Sequence, residues 1–220
     1  MKKERNFFLV SVLIVICLFM YQASKSLLEA SILNQNSENQ PTVTRHFVFD
    51  KVPMNLEEVA DSADRIFVGK CTDIEKVDND SESKLSVMRF KFKIIEGIKG
   101  TKNEEIISFK QWQPTVREVG YKKGSKYILF LYPNSAVGLT TPVGFQYGHF
   151  RVEKKGFLNP KEIVINGYNN LGLTRNLKTR KTVSIKDDSY VDEYLRKCSE
   201  KGLPVRYQEF VKAIKYLVKK

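Results

Sequence analysis

The sequence predicts a mainly β (α+β) fold: a small, partly open Greek-key barrel with a short helix before it and two helices after it. Three observations carry the prediction. Short strand-like runs separated by glycine and polar turns recur from Arg65 to Ile165. Within one of them the apolar residues change parity, the mark of a bulge of the kind that lets a small barrel turn a corner. Helical periodicity is confined to the ends of the domain.

Met54–Ala63 reads as the leading helix, with Asn55 as N-cap and Leu56, Val59, Ala60 and Ala63 on one face. Arg65–Val77 is the first strand, and the polar run Asp78–Ser83 reverses the chain. In the return strand Leu85 and Val87 share one parity while Phe90, Phe92 and Ile94 share the other, so a bulge is expected near Met88 and Arg89. After the Gly97–Gly100 turn, Glu105–Trp112 forms another strand, and Gly120 and Gly124 punctuate the approach to Lys126–Tyr132. That last run is almost wholly apolar, as befits a central strand covered on both faces. Further strands are expected at Gln146–Val152 and Glu162–Ile165, with a weaker signal at Thr182–Ile185, and Asn166–Asn176 reads as turn and loop. Tyr190, Val191, Tyr194, Leu195 and Cys198 then mark a helical face ended by Gly202 and Pro204. A second helix from about Arg206 carries Tyr207, Phe210, Val211, Ile214, Leu217 and Val218 on its apolar side, with Lys212, Lys215 and Lys219 elsewhere on its surface.

At 220 residues and 42% hydrophobic content the chain supports one ordinary domain with appendages. Lys2, Lys3 and Arg5 precede Phe7–Tyr21, in which only Ser11 is polar. A positive flank before an apolar run is an export signal, so residues 1–26 read as a signal peptide or N-terminal membrane anchor and the rest as extracytoplasmic. The run is short for a spanning helix, yet the small-residue pattern for cleavage after it is poor, so both forms stand. Residues 27–46 are a polar linker, 47–185 the barrel domain and 186–220 the C-terminal helices packed on it. The net charge of +12 is uneven: from Arg151 to Lys220, 17 basic residues oppose 8 acidic ones. That excess is either a solvated face or a surface for anionic glycans or lipid headgroups.

Catalytic constellations are missing from the sequence. His46 and His149 stand apart, and there is no HExxH, no paired cysteines at metal spacing, no GxSxG and no phosphate-loop pattern. No catalytic residue, metal ligand or cofactor is therefore assigned, and His149 reads as a rim or packed side chain. Beyond the apolar run the cysteines are Cys71 and Cys198. They are either a disulfide, contributing about 4–5 kcal/mol by the loop-entropy argument, or two buried free thiols.

The segments ADRIFVGKCTDIEKV, VMRFKFKIIEGIKG and GYKKGSKYILFLYP resemble bacterial relatives of the netrin and tissue-inhibitor-of-metalloproteinase domain, an OB-like barrel. The later GFQYGHFRV and YQEFVKAI are also similar to exported bacterial proteins of this type, some of which accompany matrixin-type zinc proteases. The likeness covers Asn55–Val152 well and the rest loosely, and it brings no catalytic residue. In the animal inhibitors the first cysteine of the mature chain chelates the protease zinc. Here Cys71 lies inside the first strand instead, which puts inhibition by that route in doubt.

The resulting expectation is a non-catalytic, monomeric extracytoplasmic binding or assembly module, its partner an unidentified protein or an anionic glycan or lipid surface. The resemblance adds an alternative, inhibition or accessory control of an extracellular protease. A third, single-strand nucleic-acid binding with Trp112, Phe90 and Phe92 as stacking groups, is opposed by export.

Overall fold

The computed structural model describes residues 52–177 and 188–219. The apolar run Phe7–Tyr21, the linker 27–46, His46 and the strand signal at Thr182–Ile185 lie outside these residues. The first element is α1 (Leu56–Ser62), which begins where the sequence places its cap: Asn55 Oδ1 accepts from the Glu58 amide at 2.9 Å, and Glu58 Oε2 accepts from the Asn55 amide at 2.9 Å. This reciprocal pair satisfies two amides that a helix start otherwise leaves open. Leu56, Val59 and Ala60 are buried along one face.

Seven strands follow in one antiparallel sheet: β1 (Arg65–Val77), β2 (Val87–Lys99), β3 (Ile106–Trp112), β4 (Lys126–Leu131), β5 (His149–Lys155), β6 (Lys161–Asn166) and β7 (Val205–Arg206). Their order is β3-β2-β1-β4-β5-β6-β7. The first three make a meander, and β4 returns to the far side of β1, which is the Greek-key arrangement. A parallel bridge between Lys110 and Leu139 ties the edge strand β3 to the loop after β4, with the Thr140 amide donating to the Lys110 carbonyl at 2.9 Å. The result is the small, barrel-like α+β fold that the sequence predicts.

The alternation of side chains along β1 and β4 divides the interior into two apolar clusters. Phe67 and Cys71 of β1 and Tyr127, Leu129 and Leu131 of β4 meet Phe90, Phe92 and Phe109 on the inner face. Phe92 stacks on Phe109 at 5.6 Å between centroids, and Phe90 lies 4.4 Å from Tyr121. On the other face Ile66, Val68, Ile128 and Phe130 pack under α1 and under two C-terminal helices, α3 (Asp188–Lys201) and α4 (Tyr207–Val218). Period-two alternation sends neighbouring residues to opposite faces, so a stretch buried on both sides must be apolar throughout, as β4 is from Tyr127 to Leu131.

Several expectations need correction. No register shift falls at Met88 and Arg89. The irregularities lie where β1 pairs with β2, leaving Ile95 and Ile98 of β2 and Thr72 of β1 without a direct partner. Met88 packs with the Phe90 face, while Val87 is buried apart from it. Gln113–Val119, which the sequence leaves unassigned, is a short helix (α2) with a proline in its first turn and Gly120 at φ +55° closing it. Residues Phe145–Tyr147 form a 3-10 turn, so β5 starts at His149 and runs to Lys155. Of the two alternatives left open for Cys71 and Cys198, the structure has the second: both thiols are free and buried. Cys71 belongs to the inner cluster and Cys198, with α3, to the cluster on the opposite face, so the sheet stands between them.

Candidate functional site

His149 lies at the start of β5, where the strand's alternation turns its ring inward between Tyr121 and Tyr127, at 4.9 and 5.1 Å between centroids. It is 2% exposed, and its Nε2 and the Tyr121 hydroxyl have no hydrogen-bond partner among the described residues. Burial, reinforced by Arg151, pushes the imidazole down to about 3. Burial also raises the Tyr121 phenol, and it raises the Cys71 thiol. A neutral imidazole and protonated phenols and thiol sealed among aromatic rings offer no base or nucleophile to a substrate.

The acidic turn after β1 is occupied in a similar way. Asp80 accepts from the Ser83 amide and hydroxyl at 3.0 Å each and from Lys110 Nζ at 2.9 Å, and Lys110 also reaches Glu82 at 2.8 Å. These bonds, led by the Ser83 amide, hold the Asp80 carboxyl well below the usual range. The turn is thereby latched onto β3. Among the described residues no group of three His, Cys, Asp or Glu side chains could hold a metal ion. The stacking groups are placed no better for a ligand: Phe90 and Phe92 are in the barrel interior, and Trp112 is half-buried.

An open cleft lies elsewhere, between α4 and the end of β2. It holds about 450 Å³ and is lined by Glu96, Tyr207, Gln208, Val211, Lys212, Lys215, Tyr216 and Lys219. Gln208, Lys212, Lys215 and Lys219 recur at helical spacing, so one stripe of α4 faces it for about 16 Å. Phe210 and Ile214, on the opposite side of the same helix, are buried in the core and fix the stripe outward. Glu96 is already engaged, paired with Lys215 and 3.5 Å from the Tyr207 hydroxyl. Lys126 lies 4.3 Å from the Tyr207 ring centroid and pairs with Glu162 at 2.6 Å. Burial, with the nearby Glu96 and Glu162 carboxylates, pushes the Tyr207 phenol up to about 12, so it remains a neutral donor.

Lys212 and Lys219 are exposed, and neither forms an ion pair with a described residue. With Lys215 balanced by Glu96, these two cations set the cleft's charge. Tyr216 is 46% exposed and adds an apolar ring at its edge. The sequence showed Lys212, Lys215 and Lys219 as lying off the apolar face of the last helix. It gave no sign that Glu96, more than a hundred residues earlier, completes the cleft. No protein-family model matches this chain, and no curated protein matches it.

Proposed function

We propose that this chain is a non-catalytic extracytoplasmic binding module, held at the membrane by the Phe7–Tyr21 segment, and that the cleft beside α4 takes an acidic glycan. The observation that carries the reading is the pair of lysines without an ion-pair partner among the described residues, Lys212 and Lys219, flanking an elongated cleft edged by Tyr207 and Tyr216. Tyrosine rings offer flat apolar contact for sugar faces with a hydroxyl to spare, and lysines supply point charges for carboxylate or sulfate groups. A cleft about 16 Å long suits several linked rings better than one small molecule. The buried state of His149 and the latched state of Asp80 agree with a role in binding rather than hydrolysis.

The test is calorimetric titration of the full-length protein with a sulfated oligosaccharide and with a neutral one of equal length. Binding should favour the sulfated ligand and weaken as salt rises. Replacing both lysines by alanine should weaken it about tenfold, or ~1.4 kcal/mol. Equal affinity for the neutral sugar, or an unchanged affinity in the double variant, would refute the reading.

A further inference from the structure

The β5–β6 hairpin ends in Gly156-Phe157-Leu158-Asn159-Pro160, and its two apolar side chains are the most exposed large ones among the described residues, Phe157 at 98% and Leu158 at 93%. Nothing in the fold requires them there. The strands beneath are paired from Phe150 and Asn166 out to Lys155 and Lys161. β4 leaves β5 after Val152, and β7 leaves β6 at Ile163, so the end of the hairpin projects as a two-stranded ribbon. Two residue pairs of ribbon carry the tip on the order of 7 Å beyond the sheet.

Lys154, Lys155 and Lys161 surround the base of this tip, all exposed and none ion-paired with a described residue. Lys155 stands directly opposite Lys161 across the hairpin, a like-charge pairing that destabilises an isolated ribbon. An anionic layer meeting the tip would relieve that repulsion. Gly156, at φ +111°, makes the turn that presents Phe157 and Leu158 side by side at the apex.

We infer that this tip is a membrane-inserting element, seating Phe157 and Leu158 in the interfacial layer of a bilayer while Lys154, Lys155 and Lys161 meet anionic lipid headgroups. Two adjacent side chains make a patch of a few hundred Å² at most, well short of the ~800 Å² per partner of a stable protein interface. A bilayer needs no complementary pocket, and the apolar apex within a lysine ring matches its layered chemistry of headgroup charge over hydrocarbon. The inference is independent of the glycan cleft, which lies on α4.

The test reconstitutes the full-length protein with phosphatidylcholine vesicles, with or without phosphatidylglycerol, and reads a Phe157→Trp variant against wild type. Flotation with pure phosphatidylcholine vesicles reports the N-terminal anchor, whereas quenching of the added tryptophan emission by brominated acyl chains reports the tip. Quenching of at least twofold in the anionic vesicles is expected, falling toward the phosphatidylcholine value at high salt or when Lys154, Lys155 and Lys161 are all changed to glutamine. A Leu158→Trp variant should behave in the same way. Emission unquenched in both vesicle types would overturn the inference, as would quenching indifferent to phosphatidylglycerol and to the three lysines. So would concentration-dependent self-association, without quenching, that Leu158→Ser abolishes, since that would make the tip's occupant a second copy.

Discussion

Lowering the pH from 7.5 to 5 should destabilise this protein through His149. Its imidazole titrates near 6.5 in the unfolded chain and near 3 in the fold, where burial opposes the charged form. The unfolded state therefore binds the proton more readily, and stability fully present above 6.5 is lost as pH falls toward 3. At 1.36 kcal/mol per unit, the loss is about 2 kcal/mol by pH 5 and about 5 kcal/mol in the limit. The carboxylates act later: the depressed Asp80 stabilises the fold above the ordinary aspartate range and loses that contribution only as pH falls below about 4. Urea unfolding followed by circular dichroism at pH 7.5, 6 and 5 measures the slope, and a His149→Leu variant isolates it. The variant should lose about 2 kcal/mol less than wild type over this interval. If it is as acid-sensitive as wild type, the imidazole is not held neutral by burial and the reasoning fails.

Phe92→Ala should cost about 3–5 kcal/mol, because it empties the centre of the inner aromatic cluster, and chemical denaturation would show it. Gly148→Ala should lower stability by about 1–3 kcal/mol, since a Cβ there would lie 2.6 Å from the Val143 carbonyl oxygen and 3.0 Å from that of Phe130, both backbone atoms that cannot step aside. The thiols of Cys71 and Cys198 should resist an aromatic disulfide reagent in the native protein and react once it is unfolded, without prior reduction. Their failure to react after unfolding would restore the disulfide.

Local signals settled much of the fold before any contact was known. Asn55 as cap, with Leu56, Val59 and Ala60 on one face, set the first helix, the hydrophobic run from Arg65 matched β1 to the residue, and the apolar stretch Tyr127–Leu131 showed a strand covered on both faces. Each depends on neighbours a few residues apart, whose periodicity the sequence displays directly. The bulges escaped because the apparent parity change in the return strand marks no bulge: Leu85 precedes β2 and Met88 already shares the Phe90 face. Which strand carries the extra residue depends on pairing with β1. The two-residue β7 escaped too, having no period of its own and existing only where β6 offers an edge. The free state of Cys71 and Cys198 was likewise a tertiary matter, since sequence shows that both face inward but not that a sheet separates them. The same holds for the surfaces. The sequence determined that the last helix has lysines off its apolar face, and it left Phe157 and Leu158 unassigned between two expected strands. Only the tertiary structure, by bringing Glu96 beside α4 and leaving the hairpin end without a neighbouring strand, decided that one forms a cleft and the other a projecting tip. Exposure and charge pairing are properties of what the rest of the chain covers, and long-range packing sets them.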